Sequence, residues 1–261
     1  MGIDTFYSDH WKEIEDERVT RYEAMFQWRD AHAVMLESLG LEPGSKVLDY
    51  GSGPGFMSLG MGDMVGPTGE VHGVDLNARF VADANERAEG KPHVTFHQGD
   101  GQSIPLADAS VDRVVCKNVL EYVPDASAAL AEFYRVLAPG GRVLVIDSDW
   151  GFVLVQPWGD AATRAFFEAD SHAFKETHIG RRLHGLVGEA GFADVAVEIR
   201  AFADTAGGGL SVLRNMHSYG ATFDTMERSR ADALLRDAEA AVDAGQYLFC
   251  LPQFFVTANK S

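Results

Sequence analysis

Short apolar runs alternate with stretches of helical periodicity between residues 46 and 149. The apolar runs predict five strands, at 46–50, 70–75, 93–100, 111–118 and 142–149. Amphipathic stretches such as 78–88 lie between them, and glycine and proline turns separate the two kinds of segment. Because the loops are short and strands alternate with helices, the pattern predicts a parallel sheet that helices cover on both faces.

The pattern differs on either side of this segment. Residues 1–45 form a polar N-terminal segment that is mostly helical over 8–39, and an aromatic-rich stretch with a helix around 159–174 follows Trp150. Further elements are predicted as a helix at 181–191, a strand at 194–202, helices at 210–219 and 226–243, and a last strand at 246–258. We expect a single domain in which 46–150 is the core. The inserts 151–180 and 203–245 are expected to cap the carboxyl edge of the sheet, where ligands bind in such folds.

Charge and composition narrow the choice of partners. The chain has 261 residues and a formal net charge of −17, without a long run of Lys and Arg that could neutralise phosphates. We therefore expect neither nucleic acid nor a membrane surface as a partner. The N-terminus is polar and acidic, no apolar stretch is long enough to cross a bilayer, and Cys116 and Cys250 lie in apolar runs. These features predict a cytoplasmic protein with core thiols rather than disulfides.

A glycine loop follows the first strand of the core, in the sequence VLDYGSGPG at 47–55. The dinucleotide fingerprint would require a glycine at the position of Phe56, and no Gly-Lys-Ser/Thr follows as a phosphate-binding P-loop requires. Asp49 would also repel a pyrophosphate at the start of the next helix. The loop instead suits a ligand that carries a cationic group and no phosphate, and S-adenosylmethionine (SAM) meets both conditions.

Five segments resemble the motifs of class I SAM-dependent methyltransferases, in the family's order and spacing over about 105 residues. They are VLDYGSGPG (47–55), GVDLN (73–77), GDGQSIP (99–105), CKNVLEYVPD (116–125) and LAPGGRVLVID (137–147). The resemblance is strongest to the small-molecule branch typified by the ubiquinone and menaquinone C-methyltransferases. It implies an α/β, Rossmann-like, doubly wound sheet of seven strands. The sheet would be mainly parallel, with an antiparallel C-terminal strand and helical cap insertions.

The resemblance also implies roles in binding SAM for nine residues. Asp49 would orient the glycine loop and the methionine amine, and Asp75 would accept hydrogen bonds from both ribose hydroxyls. Leu76 would pack on the adenine, and Asp100 would accept from its exocyclic amine. The remaining residues are Gly51, Ser52 and Gly53 at the amino-acid end, Gly101 at a ring nitrogen, and Asn118 near the methionyl group. Asp49 could also merely cap the following helix, and Asn118 could be a turn residue.

Candidates for contact with the reacting substrate lie in three places. Tyr122 stands where relatives often carry His, and it could stack on the substrate or donate a hydrogen bond instead of acting as a base. Asp149 leaves the fifth strand near the expected pocket, as does Asp147, and either could orient or deprotonate a substrate. His172 lies in the first cap insert. We expect no metal, because no set of acidic residues with metal spacing accompanies the histidines.

The function predicted from these features is transfer of a methyl group from SAM to a small, apolar or aromatic metabolite, with S-adenosylhomocysteine (SAH) as the second product. In-line displacement needs a shaped pocket more than a fixed catalytic motif. Two alternatives stay open at this point. The same fold could bind SAM while catalysing a rearrangement or cyclisation without methylation, or it could sense SAM and SAH without turnover. A homodimer is possible.

Overall fold

The computed structural model describes residues 3–12, 14–101 and 103–261. Gln102 of the third motif, and Met1, Gly2 and Glu13 of the N-terminal segment, lie outside the described residues. The α-helices are α1 Phe6–Lys12, α2 Asp16–Phe26, α3 Asp30–Leu36, α4 Phe56–Val65, α5 Ala78–Arg87, α6 Ala126–Val136, α7 Asp160–Ala169, α8 Ile179–Glu189, α9 Leu210–Phe223 and α10 Arg228–Asp243. The strands are β1 Lys46–Tyr50, β2 Glu70–Asp75, β3 Val94–Gln98, β4 Val111–Lys117, β5 Leu137–Ser148, β6 Leu154–Gln156, β7 Ala193–Arg200, β8 Leu248–Cys250 and β9 Gln253–Asn259.

Seven of the strands in these ranges form one sheet, in the order β3-β2-β1-β4-β5-β9-β7. The strands β1 to β5 are paired in parallel, whereas β9 runs antiparallel to both β5 and β7. The predicted α/β class, with a mainly parallel doubly wound sheet and an antiparallel C-terminal strand, is confirmed. The chain order reverses at β1, which has β2 on one side and β4 on the other, and this is where such sheets open a ligand crevice.

Two apolar clusters cover the two faces of the sheet, and each takes its side chains from strands and helices together. On one face, Leu130 and Phe133 of α6 and Leu183 of α8 pack with the sheet, and on the other Met61 and Val65 of α4 do so. These side chains are buried, as expected for helices that alternate with strands. The central strands are therefore held rigidly, and their carboxyl ends provide fixed positions for a site.

The inserts after β5 have an apolar cluster of their own. Phe166 and Phe167 of α7, Leu213 and Met216 of α9, and Phe249 of β8 pack there. Phe6 of α1 joins the same cluster, so the N-terminal segment packs on the inserts. A two-stranded sheet of β6 and β8 ties the first insert to the C-terminal region.

Several predicted boundaries are wrong. The expected last strand at 246–258 is two strands, which pair with different sheets and are separated by Leu251 and Pro252. Proline has no N–H to donate, and a break at that position lets β8 turn away from the main sheet. The N-terminal stretch 8–39 is mostly helical, as predicted, and its described residues form the three helices α1, α2 and α3. Of the helices in the described ranges, none is long and apolar enough to cross a membrane.

Candidate functional site

A cavity lies at the carboxyl ends of β1, β2 and β4, which is the edge expected from the topology. Seven of the nine predicted cofactor residues line it: Gly51, Ser52, Gly53, Asp75, Leu76, Gly101 and Asn118. They come from four separate segments of the chain, because the parallel strands bring the loops that follow them to one edge. The grouping of motifs that are up to 67 positions apart is a result of the fold alone.

The glycine loop is anchored to the neighbouring strand. The backbone N–H groups of Gly51 and Ser52 both donate to the Val74 carbonyl, at 2.7 and 3.1 Å. Gly51 has a φ of +75°, and a Cβ at this position would overlap the Val119 side chain. Glycine is required here both for the left-handed backbone and for the close approach of the loop after β4.

Asp75 links the glycine loop to the end of β2. Its carboxylate accepts from the backbone N–H groups of Gly53 and Asn77, each at 2.8 Å. Burial raises its pKa, although the three backbone N–H groups around it oppose that effect. The carboxylate is thereby oriented at the cavity wall, with further lone pairs available to a ligand hydroxyl.

Asp49 lies behind the loop and is not a lining residue of the cavity. It is fully buried, and Ser58 of α4 donates to its Oδ2 at 2.5 Å. Burial raises the pKa of Asp49 to about 7. This placement agrees with an orienting role for the loop and also with the alternative of a helix-side cap, since the carboxyl reaches the first turn of α4.

Asp100 and Gly101 have different environments. Gly101 lines the cavity next to Leu76, whereas Asp100 is exposed and accepts from the backbone N–H of Ser103 at 2.8 Å. Asp100 is not among the lining residues. Its predicted contact with an adenine amine therefore stays a prediction.

Three buried polar atoms of the lining residues have no partner among the described residues. Trp11 Nε1 belongs to α1, whereas Ser52 Oγ and Asn118 Oδ1 lie together on the loops after β1 and β4. Asn118 has a φ of +53°, and its backbone N–H donates to the Ile146 carbonyl at 2.8 Å. Buried polar groups in folded proteins are normally paired, so these atoms indicate a polar ligand at this end of the cavity.

Residues from the N-terminal helices complete the cavity wall, although they lie outside the five motifs. They are Ser8 and Trp11 of α1, Phe26 of α2 and His32 of α3. The Asn77 side chain donates to the Trp11 carbonyl at 2.9 Å, which fixes α1 beside the start of α5. Aromatic residues in a polar N-terminal segment are the only signal for this in the sequence, and such residues pack equally often in a core.

Lys117 lies within the fourth motif, CKNVLEYVPD, but no role in the site was predicted for it. It is the last residue of β4 and lines the cavity, close to a group of buried carboxyls that includes Glu121 and Asp147. The Trp150 indole N–H donates to Glu121 at 2.7 Å. Burial raises the pKa of Glu121 well above its ordinary value and that of Asp147 to about 7. A lysine directly after the apolar residues 114–116 at the end of the strand was the available signal.

Of the three catalytic candidates, Tyr122 lines the cavity. Its ring lies 5.1 Å from Trp11 and 5.2 Å from Phe174, measured between ring centroids. Burial, and then the neighbouring Glu121 carboxyl, raise the pKa of the Tyr122 phenol well above its ordinary value. The phenol is therefore protonated at neutral pH and can donate a hydrogen bond.

Asp149 and His172 are not lining residues of this cavity. Asp149 is fully buried and accepts from Gly151 N–H at 3.0 Å and from Arg181 Nη2 at 2.7 Å, and Nδ1 of His178 lies 3.1 Å from the same carboxylate. Burial opposes its ionisation, but the Arg181 side chain and the Gly151 N–H together hold its pKa below the ordinary value. His172 is exposed, with its ring edge toward Phe223 at 5.5 Å.

Residues 48–145 match the family model described as a methyltransferase domain. The match spans the glycine loop, Asp75, the cavity-lining turn at 99–103 and the loop after β4, on a seven-stranded sheet with the strand order given above. Residues 48–145 therefore form a methyltransferase domain, in the part of the chain that carries the five motifs resembling class I SAM-dependent methyltransferases. The family prediction from the five motifs is thus confirmed.

Relatives of this chain include an uncharacterised 37.1 kDa protein in transposon TN4556 of Streptomyces fradiae, 36% identical over 166 residues. A demethylmenaquinone methyltransferase of Anoxybacillus flavithermus is 30% identical over 143 residues. These matches cover 63% and 54% of the chain but 48% and 58% of the relatives, so the chain spans about half the length of each. Phosphoethanolamine N-methyltransferase 2 of Haemonchus contortus, solved with SAM, has a similar fold. Its TM-score is 0.66 at 19% identity, with 100% of this chain and 60% of that chain covered.

The residues that line the cavity fit SAM. Asp75 offers carboxylate oxygens for ribose hydroxyls, and Leu76 and Phe80 offer apolar surface for an adenine ring. The unpartnered Ser52 Oγ and Asn118 Oδ1 lie on the loops after β1 and β4, where a polar amino-acid end can use them. The fit rests on these orphaned atoms as well as on the family.

Proposed function

We propose that this chain transfers the methyl group of SAM to a small, apolar or aromatic metabolite. One observation carries the proposal. The cavity that holds the glycine loop and Asp75 continues to an aromatic wall formed by Trp11, Phe26 and Tyr122. A polar end and an apolar end in one cavity suit a polar cofactor beside an apolar acceptor.

This placement assigns cofactor binding and acceptor binding to different parts of the chain. Residues 46–150 bind the cofactor, and the inserts 151–180 and 203–245, together with α1, enclose the acceptor. Phe6 supports this assignment because it packs in the cluster of the inserts while Trp11, one helical turn further on, lines the cavity. The N-terminal helix thereby connects the two parts.

SAM, when bound, supplies a methyl group that is already activated by the sulfonium. The residues of the chain then have to hold the acceptor in line and keep water out, which is a proximity effect. Trp11, Phe26 and Tyr122 exclude water from the acceptor side, and Asp75 holds the ribose. Tyr122 keeps its proton, so it orients the acceptor by a hydrogen bond or by stacking and does not abstract a proton.

The demethylmenaquinone methyltransferases among the relatives favour a quinone-like or phenolic acceptor, by their names. Carbon, oxygen and nitrogen acceptors all fit the same cavity wall, since the aromatic residues select for shape and not for the nucleophilic atom. A cytoplasmic location and a homodimer stay predictions.

The proposal is tested by incubating the protein with SAM and a panel of quinones, phenols and aromatic amines, followed by mass analysis of the products. We expect one acceptor to gain a CH₂ unit while an equal amount of SAH forms. A product of unchanged mass that requires SAM would contradict methyl transfer and favour the non-methylating alternative. Tight binding of SAM and SAH without SAH formation on any acceptor would favour the sensing protein.

A further inference from the structure

Lys117 is a half-buried cation that has no partner among the described residues. It ends β4, pairs in register with Ile146 of β5, and lines the cavity beside Asn118. No hydrogen bond joins its ammonium to a described residue, and no carboxylate of those residues lies within 4.0 Å of it. An ammonium that lines a cavity and lacks a protein partner favours an anionic ligand group there.

The surroundings of this lysine are acidic. Burial lowers its pKa, but the carboxyls of Asp147, Glu121 and Asp49 act in the opposite direction. These carboxyls belong to the protein interior and have their own donors. The Trp150 indole N–H donates to Glu121, and the Ser148 backbone N–H donates to Asp147. The Ser58 hydroxyl donates to Asp49. The carboxyls therefore attract the ammonium without accepting hydrogen bonds from it. Its N–H groups stay available to a ligand.

The two neighbours of Lys117 in the cavity complement it. Asn118 has a buried amide oxygen without a partner among the described residues. Nδ1 of His32 lies 2.9 Å from the Arg29 backbone nitrogen and 3.1 Å from the Arg29 carbonyl oxygen. In the neutral tautomer in which Nδ1 accepts from the N–H, the ring carries its proton on Nε2 and can donate it into the cavity. A cation, a ring N–H and a carbonyl oxygen in one cavity match a zwitterionic amino acid, with donors for its carboxylate and an acceptor for its ammonium.

The position along the sheet agrees with this match. Asp75 ends β2 and Lys117 ends β4, with β1 between them, so the two strands are about 10 Å apart. The flexible chain of a methionyl group bridges that span when the ribose is at Asp75.

We propose that Lys117, assisted by the ring N–H of His32, binds the α-carboxylate of SAM, while the amide oxygen of Asn118 accepts from the α-ammonium. The inference rests on the proposed function, because it assigns part of the same cofactor site. Lys117 is then the residue by which the protein distinguishes a complete SAM or SAH from adenosyl ligands that lack the amino acid.

The test is calorimetric titration with SAH and with 5′-methylthioadenosine, which has the same nucleoside and thioether but no amino-acid group. The variants are Lys117→Met and Lys117→Arg, with the exposed Lys46→Met as a control. We expect Lys117→Met to weaken SAH binding by about 10- to 100-fold and to leave methylthioadenosine within about twofold. Lys117→Arg retains most of the SAH affinity, and Lys46→Met changes neither ligand.

Each other outcome overturns the inference. Unchanged SAH affinity in Lys117→Met would remove the lysine from the site while the proposed function stands. An equal loss for both ligands, with or without a lower melting temperature, would assign Lys117 a role in shape and not in carboxylate binding. If the wild-type protein binds neither ligand, the cofactor site of the proposed function fails as well, so the two failures can be told apart.

Discussion

The Asp75 carboxylate accepts a hydrogen bond from the Gly53 backbone N–H at 2.8 Å and so joins the loop after β1 to the end of β2. A second backbone N–H, from Asn77 at the start of α5, binds the other carboxylate oxygen at 2.8 Å. The residue expected to bind the ribose therefore also shapes the loop on which the rest of the cofactor rests. Its replacement should affect ligand binding much more than folding, since both loops have other backbone hydrogen bonds.

Asp75→Asn tests this relationship directly. The amide keeps the size of the side chain but turns one acceptor oxygen into a donor, so it opposes one backbone N–H and offers less to ribose hydroxyls. We expect SAH affinity to fall by about 10- to 100-fold in calorimetric titration. The matched control is Asp63→Asn, an exposed carboxylate on α4, which should leave the affinity unchanged. Equal affinities for wild type and Asp75→Asn would exclude Asp75 from the site.

Gly51→Ala should destabilise the fold. The left-handed φ of +75° costs alanine about 1–2 kcal/mol, and overlap with Val119 adds about 1–3 kcal/mol. Gly245→Ala is the control, since it has a φ of +67° with open space around it and should show only the first cost. The free energy of unfolding in urea measures both. Adding Val119→Ala to Gly51→Ala should recover part of the loss, and simple additivity in that double mutant would argue against the steric cause.

Arg181 is expected to stabilise the start of the first insert through Asp149. Its guanidinium donates to both oxygens of this fully buried carboxylate, so Arg181→Met leaves a buried charge short of donors. We expect a loss of about 1–3 kcal/mol in the free energy of unfolding and no change in SAH affinity. Arg182→Met breaks a surface ion pair with Glu176 and should cost under about 1 kcal/mol. A normal stability of Arg181→Met with impaired methyl transfer would instead favour the catalytic role predicted for Asp149.

Asp170 should make stability depend on pH. It is buried between α7 and α9, and Oδ2 has no partner among the described residues. Burial raises its pKa from 3.8 to about 8. The unfolded chain ionises near pH 4 and the folded protein near pH 8, so stability is full below pH 4 and falls as the pH rises through that window.

Asp170→Asn removes this titration and keeps an acceptor for the Gly220 N–H. We expect the variant to exceed the wild type by about 1 kcal/mol or more at pH 8.5 and to approach it at pH 4, in urea unfolding at both values. Asp224→Asn, an exposed carboxylate at the end of α9, is the control for the charge change. A constant difference between wild type and Asp170→Asn over this pH range would contradict an ionisable origin.

Local signals in the sequence were sufficient for the core of the fold. The five apolar runs up to residue 149 correspond to β1–β5, and the glycine loop connects β1 to α4. The same signals were insufficient at 246–258, where an apolar run is continuous in sequence but divided between two sheets. Hydrophobic periodicity predicts that a residue is buried, but it does not predict which element of the fold packs against it.

The sequence by itself determined the order of strands and helices along the chain, the glycine loop and the carboxylate at the end of β2. Each of these features depends on neighbours a few positions away. Only the tertiary structure decided that Trp11 and His32 reach the same cavity as Lys117, since segments more than 80 residues apart meet there. It also decided which catalytic candidate lies at that cavity. Tyr122 lines it, whereas the Asp149 carboxylate accepts from Arg181 and does not. Burial and ion pairing are properties of packed neighbours, and packing of distant segments is what a local pattern does not contain.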